Sequence, residues 1–233
     1  MRNICILIAR GGSKGIPNKN LVNFCGKPLI FWTLRQAQKS KYIEEIWLSS
    51  DSEEILRYGE SLGILPILRP SELASDSSSS EDAWLHALEV VRSKSLDKPD
   101  IDYVVVPQAT SPLRAPSDFD NAIEKLIEDK GDSLLSVVKV EDFFMWQLGS
   151  GGVPEALNYN YQKRNRRQEI QPRYLENGSF YIFKPKILTE DRNRLGGKIS
   201  LYEMARHKMF QIDEPGDLDL CEAIMRGFDL DKY

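Results

Sequence analysis

Residues 10–20 combine glycines, cations and amides directly after the short apolar run Ile4–Ala9, and they read R-G-G-S-K-G-I-P-N-K-N. Glycines let a backbone turn its N–H groups toward a ligand, and Arg10, Lys14 and Lys19 supply positive charge. This combination indicates a site for a polyphosphate and hence for a nucleotide, although a basic surface turn has the same composition.

Two common phosphate-binding patterns are absent from this loop. A Walker A loop has the pattern G-x-x-x-x-G-K-[ST], with four residues between its two glycines. Here only three residues separate Gly11 from Gly15, and Ile16 stands where the lysine would be. A dinucleotide fingerprint needs G-x-G-x-x-G opening a helix, whereas adjacent glycines and Pro17 follow here. Kinase-type and hydride-transfer chemistry therefore lose their main support.

Four further segments carry side chains suited to the same ligand. Residues 68–80 are rich in serine, Gln108 follows an apolar run, and Asp213 precedes a helix. A Gln amide can both donate to and accept from a base, and a carboxylate can hold Mg²⁺ beside phosphates. Residues 162–168 are strongly basic, which suits an acidic cosubstrate. Each segment has an ordinary alternative as a solvated loop, a turn, a charged face or a helix cap.

Composition limits the class of protein. The 233 residues carry 31 basic and 35 acidic side chains, a net charge of −4 that argues against a general nucleic-acid binder. Cys5, Cys25 and Cys221 form no metal-binding spacing and favour a reducing compartment, so we expect a cytoplasmic protein. No apolar run is long enough for a membrane span.

Hydrophobic periodicity predicts alternating strands and helices. The predicted strands are 4–9, 45–49, 64–68, 103–106, 133–140 and 180–183, with a short closing strand that ends at Ile212 and Asp213. The predicted helices are 28–39, a short one capped by Asp51 that ends at Ser61 and Leu62, one opening at Ser80, 117–130 and 215–228. The alternation predicts one α/β domain over 1–233, with a Rossmann-like, mostly parallel sheet and ligands beyond its carboxyl edge. Residues 141–197 break the pattern and are interpreted as an inserted arm.

These motifs, in this order, resemble the acylneuraminate cytidylyltransferases, the CMP-sialic acid synthetases among the sugar nucleotidyltransferases. The resemblance spans nearly the whole chain. It rests on residues 8–20, 68–80 and 108–114, on R-R-Q at 166–168, on E-N-G-S-F-Y at 176–181, and on Ile212 and Asp213. It implies the nucleotide-diphospho-sugar transferase fold and the joining of CTP to a nine-carbon α-keto acid sugar, with release of pyrophosphate, for surface glycans.

The resemblance also implies roles for individual residues. Arg10 and Lys19 would contact the triphosphate and Asp213 would bind Mg²⁺, and these three form the catalytic set. Substrate contacts would come from Ala9, Gly11, Ser13, Asn20, Arg69, Ser80 and Gln108 on the nucleotide side, and from Arg167, Gln168 and Tyr181 on the sugar side. The arm 141–197 would cross to a second subunit, which implies a homodimer.

One position departs from the family pattern. Some relatives carry two metal-binding aspartates two residues apart, whereas this chain has Gln211 before Asp213. The metal would then depend on Asp213 and phosphate oxygens, or a second metal would be lost. Two other functions stay open: a cytidylyltransferase for a 3-deoxy-octulosonate sugar, and a nucleotide-binding regulatory protein without catalysis. The sequence leaves the choice among sialic, deaminated, legionaminic and pseudaminic acids open as well.

Overall fold

A seven-stranded sheet organises the molecule in the computed structural model, which describes residues 1–75, 77–140, 144–164, 166 and 171–232. The strand order is β11-β7-β10-β6-β1-β4-β5, and β10 alone runs antiparallel to its neighbours. The predicted α/β fold with a mostly parallel sheet is therefore confirmed. Within the described ranges, no helix has both the length and the apolar character required to cross a bilayer.

The elements follow one another along the chain in a nearly regular alternation. The strands are β1 Asn3–Ile8, β2 Asn23–Phe24, β3 Lys27–Pro28, β4 Ile43–Ser50, β5 Leu65–Leu68, β6 Tyr103–Pro107, β7 Ser133–Val140, β8 Trp146–Leu148, β9 Pro154–Ala156, β10 Arg173–Phe183 and β11 Ile199–Met204. The helices are α1 Leu29–Gln38, α2 Glu53–Ser61, α3 Ser80–Ser93, α4 Pro116–Glu128, α5 Pro185–Asp191 and α6 Pro215–Gly227.

Both faces of the central strands are covered by helices, which explains their continuous apolar sequences. Side chains alternate across a strand, so Cys5 of β1 faces the layer of α1, α2 and α4, while Ile4 faces α3 and α5. In β6, Val104, Val105 and Val106 are fully buried, because successive valines enter one layer or the other. This packing holds the carboxyl ends of β1, β4, β5 and β6 at one edge.

Two local predictions are wrong. Ser52, not Asp51, caps α2, since the Ser52 hydroxyl accepts the N–H of Ile55. Asp51 instead points to the glycine-rich loop. The segment ending at Asp213 is extended but belongs to no strand: the N–H of Ile212 donates to Thr110 O at 2.8 Å, and the last strand of the sheet is β11.

The segment 141–197 contains both core and peripheral structure. β10 pairs with β6 and β7 in the central sheet, and α5 packs against α3. Residues 144–164 lie apart from the sheet and include a hairpin of β8 and β9. The excursion from the core is thus shorter than 141–197 in the described residues, and its role in dimerisation stays a prediction.

Candidate active site

Two adjoining cavities of about 280 Å³ each lie beyond the carboxyl ends of β1, β5 and β6. One cavity is lined by most of the predicted nucleotide residues: Ala9, Arg10, Ser13, Lys19, Asn20, Ser80 and Gln108. The other is lined by Arg69 with several serines of residues 75–80, and Arg10 and Ser80 border both. Three segments distant in sequence thus converge at the sheet edge where ligands of open α/β folds bind.

The glycine-rich loop is closed across its base and pressed against a distant segment. The Asn20 amide donates to Arg10 O at 2.9 Å, and Asn18 adopts a left-handed conformation with φ of 51°. A Cβ atom on Gly15 would lie only 2.3 Å from the carbonyl oxygen of Asp213, so only glycine fits at this close approach. The loop and the Asp213 segment therefore form one packed unit.

Lys19 is held where that unit meets the cavity. Its Nζ donates to Asp213 Oδ1 at 2.9 Å and to Ile212 O at 3.0 Å. The lysine side chain is 12% exposed, whereas that of Asp213 is 68% exposed. The ammonium group is thus fixed at the cavity wall while the carboxylate stays open to solvent.

The Asp213 carboxylate does not serve as the cap of α6. Glu214 is the N-cap residue, and Asp217 in the first turn of α6 completes a capping box, since its Oδ2 accepts the N–H groups of Asp213 and Glu214 at 2.9 and 2.8 Å. Those backbone N–H groups hold the pKa of Asp217 below its usual value. Asp213 is left as an exposed oxygen ligand, which suits Mg²⁺, since this ion commonly takes one or two carboxylates plus substrate phosphates. No group of three or more His, Cys, Asp or Glu that could hold a metal ion occurs in the described residues.

Arg114 fixes the loop that carries Gln108. This fully buried guanidinium donates to Gln36 Oε1, Thr33 Oγ1, Ser179 O and Gln108 O at 2.6–3.0 Å. Burial lowers the pKa of Arg114 to about 9, so it remains a cation at neutral pH. One side chain therefore joins α1, the Gln108 loop and β10.

The side chain of Gln211 is hydrogen-bonded to the irregular part of β10 between Glu176 and Tyr181. Its Nε2 donates to Asn177 O at 2.9 Å, beneath Gly178, whose φ is +61°. A Cβ on Gly178 would lie 2.5 Å from Gln211 Nε2 and 3.6 Å from Gln108 Oε1. The amide at position 211 thus supports the wall next to Gln108.

Tyr181 lies in β10 and is almost fully buried, outside the cavity lining. Its hydroxyl donates to Glu176. Burial and this hydrogen bond raise the pKa of Tyr181 to about 12, so the phenol stays protonated. The Arg194 guanidinium lies 4.9 Å from the ring centroids of both Tyr181 and Trp84, and its Nε donates to Glu81 at 2.7 Å. Trp84 also lines the cavity that contains Lys19 and Gln108.

One further predicted contact, that of Gly11, is not part of the cavity lining. Gly11 lies outside both cavity walls, and its N–H donates to Asp51 Oδ1 at 3.0 Å. Arg167 and Gln168 lie outside the described residues. The sequence did not predict Asp51, Trp84, Arg114 and Arg194 as parts of the site. Of these, only Arg114 could have been found, because it is the charged last residue of the motif at 108–114.

A larger cavity of about 600 Å³ lies at the opposite edge of the sheet, and none of the predicted residues line it. Four of its cations share two carboxylates: Arg2 and Lys98 contact Glu45, and Lys184 and Lys186 contact Asp132. Its distance from the strand carboxyl ends favours the smaller cavities as the reaction site.

The chain is similar in sequence to known proteins. The sequence model of a family described as cytidylyltransferase matches residues 4–230. N-acylneuraminate cytidylyltransferase A of Danio rerio is 36% identical over 225 residues, covering 96% of this chain and 50% of the relative. A pseudaminic acid cytidylyltransferase of Campylobacter jejuni is 30% identical over 232 residues, covering 97% of each chain.

A solved structure supports the fold. CMP:2-keto-3-deoxy-manno-octonic acid synthetase complexed with CTP superimposes with a TM-score of 0.70 at 17% identity, covering 98% of this chain and 100% of that one. The chain spans about half the length of the first curated relatives that it matches.

Proposed function

The chain belongs to the cytidylyltransferase family, as its resemblance to the acylneuraminate enzymes predicted, and from this premise we propose the reaction. It transfers the cytidylyl group of CTP to a nine-carbon α-keto acid sugar, releases pyrophosphate and forms a CMP-sugar for surface glycans. The relatives named for sialic and pseudaminic acids support this acceptor class. The cytoplasmic location expected from the cysteines belongs to the same proposal.

The observation that carries the proposal is the convergence of the nucleotide residues on one cavity. Arg10 and Lys19 place two cations there, which suits a triphosphate, and Gln108 and Ser80 supply neutral hydrogen-bonding groups suited to cytidine. Asn20 fixes the backbone of Arg10 from the other end of the loop. Arg69 in the adjoining cavity provides a further nucleotide contact.

The chain accelerates the reaction mainly by positioning and by electrostatics. The anomeric hydroxyl of the sugar attacks the α-phosphorus in line with the departing pyrophosphate, and such transfers need little covalent participation by the protein. Lys19, held by Ile212 O and Asp213, presents a fixed ammonium group to the negative charge that develops on the leaving group.

Asp213 is the residue that would hold Mg²⁺, together with oxygens of the triphosphate. The ion would neutralise phosphate charge and orient the triphosphate. Gln211, bonded to Asn177 O, adds no negative charge, so this chain offers one carboxylate where some relatives offer two.

Tyr181 and the basic segment that includes Arg167 and Gln168 form the acceptor side of the proposal. With a pKa of about 12, the Tyr181 phenol acts as a hydrogen-bond donor or packing surface and not as a base at neutral pH. The guanidinium of Arg167 suits the carboxylate of the acidic sugar.

A homodimer is part of the proposal. The hairpin region exposes apolar side chains, among them Trp146, Leu148 and Leu157, and its aromatic residues Trp146, Tyr159 and Tyr161 pack on one another. Such a surface suits burial against a second copy of the chain. Sedimentation of the protein tests this state directly.

Pyrophosphate release tests the reaction. The purified protein is incubated with CTP, Mg²⁺ and, separately, sialic, deaminated, legionaminic, pseudaminic and 3-deoxy-octulosonic acids. Turnover with a nine-carbon acid supports the proposal. Turnover with the octulosonate alone would instead assign the enzyme to that sugar. CTP binding without turnover would identify a regulatory nucleotide-binding protein.

A further inference from the structure

Asp51 occupies a central place in the nucleotide site although it does not line either cavity. It directly follows β4, and its Oδ1 accepts the N–H of Gly11 at 3.0 Å. The same oxygen lies 3.9 Å from Nη2 of Arg69. A single carboxylate therefore contacts both the loop after β1 and the arginine after β5, which border the cavities from different sides.

Arg69 depends on this carboxylate for charge compensation. Its side chain is 4% exposed, and its Nε has no hydrogen-bond partner in the described part of the chain. Burial lowers the pKa of Arg69, the opposite charge of Asp51 counteracts this, and the like charge of Arg10 lowers the pKa further. Asp51 thus offsets the repulsion between two cations that face the same ligand.

The loop backbone is also fitted tightly to the turn that contains Asp51. A Cβ on Gly11 would lie 3.0 Å from the Cβ of Ser52, so the loop rests on this turn at close range. Because a hydrogen bond to a charged acceptor is stronger than a neutral one, the Gly11 bond is a main restraint on the loop.

We propose, resting on the proposed function, that Asp51 is a positioning residue for CTP: its bond to Gly11 holds the glycine-rich loop in the arrangement that binds the nucleotide, and its charge beside Arg69 makes a smaller contribution. Asp51 does not touch the reacting atoms. Its effect falls on nucleotide binding, and the affinity for the acceptor sugar is independent of it.

The sign of the effect distinguishes positioning from simple electrostatics. Removing a carboxylate near a triphosphate would by charge alone tighten binding, since like charges repel. Loss of the Gly11 restraint instead weakens binding. Asp51→Ala is therefore expected to raise the Kd for CTP about tenfold, equivalent to about 1.4 kcal/mol.

Asp51→Asn provides the conservative rescue, because its amide oxygen still accepts the Gly11 N–H. We expect a Kd within about threefold of wild type, because the Gly11 bond is kept and only the charge 3.9 Å from Arg69 is lost. Glu54→Ala removes an exposed carboxylate three residues away and serves as the matched control, with unchanged binding.

Calorimetric titration of each full-length variant with CTP, together with KM and kcat for both substrates, tests the proposal. A raised Kd and KM for CTP in the Ala variant, with recovery in the Asn variant and an unchanged KM for the sugar, supports it. CTP binding by Asp51→Ala as tight as wild type overturns it, and so does equal weakening in the Asn variant. If the Ala variant does not fold, a tenfold loss in Asp51→Asn is still sufficient to overturn it. Absence of CTP binding by the wild type refutes the proposed function and this inference together, whereas normal wild-type binding with an unaffected Ala variant refutes the inference alone.

Discussion

Replacing Gly15 by alanine tests whether the glycine-rich loop and the Asp213 segment act as one unit. The new Cβ would lie 2.3 Å from Asp213 O, which is a backbone atom. The Asp213 segment is itself tied down on both sides, by the bond of Ile212 to Thr110 O and by the bonds to Asp217. The loop must therefore move to relieve the contact.

The size of the effect follows from the distances. An ordinary carbon–oxygen contact requires a retreat of roughly 1 Å. Lys19 Nζ now lies 2.9 and 3.0 Å from its two partners, so a loop shift of this size removes it from hydrogen-bond distance. A misplacement of about 1 Å can cost about 100-fold in kcat/KM, or roughly 2.7 kcal/mol of transition-state stabilisation.

Steady-state pyrophosphate release by Gly15→Ala, at saturating acceptor, provides the measurement. Gly216→Ala is the matched control, because Gly216 is three residues from Asp213 and its Cβ would meet nothing within 4 Å. We expect the control to keep wild-type kcat/KM. A Gly15→Ala enzyme within threefold of wild type, with unchanged melting temperature, would show that the loop yields without displacing Lys19 and would refute the reasoning.

Three other substitutions probe the metal, position 211 and the core. Asp213→Ala removes the carboxylate proposed for Mg²⁺ and should abolish metal-dependent turnover across a Mg²⁺ titration; near-normal activity contradicts that role. Gln211→Asp adds a carboxylate near Asp213 but loses the donor to Asn177 O, so we expect half-saturation at lower Mg²⁺ and a lower melting temperature; an unchanged Mg²⁺ dependence speaks against a metal role for position 211. Arg114→Met removes the donor to the buried oxygens Gln36 Oε1 and Thr33 Oγ1, and should lower the free energy of unfolding in urea by about 3 kcal/mol or more; a loss under 1 kcal/mol would be too small for that role.

The fold was accessible from the sequence because its strongest signals are local. Buried parallel strands such as β6 need continuous β-branched residues, and the helices between them need one apolar face. The antiparallel direction of β10 was not accessible, since the side-chain pattern of a fully buried strand is the same in either direction. The break in the pattern after β7 led to an arm that included part of the core.

The two errors at element ends have physical causes. Asp51 and Ser52 are both good helix caps by residue type. In the structure the Asp51 carboxylate accepts the N–H of Gly11, so the Ser52 hydroxyl caps the helix instead. Before α6, the apolar residues Phe210 and Ile212 alternate with polar ones, as in a strand, but a single bond to Thr110 O satisfies the N–H of Ile212 and the segment is not part of the sheet.

Motif order identified residues that line one cavity, the one proposed to bind the nucleotide, since glycines, cations and Gln108 carry recognisable chemistry. It did not identify residues that act through others. Trp84 has the pattern of an ordinary core residue, and Arg194 lies in a loop of unremarkable composition, yet the two are in contact beside Tyr181. Such contacts depend on distances between elements, which a linear pattern does not contain.

The partners of Arg114 determine where this site can be flexible. Local opening of residues 107–114 would strip a wholly buried guanidinium of its acceptors on α1 and β10 at once. We therefore expect the amide protons of this loop to exchange with solvent about as slowly as those of the core. The cavity wall that carries Gln108 would then keep one conformation whether or not a ligand is bound.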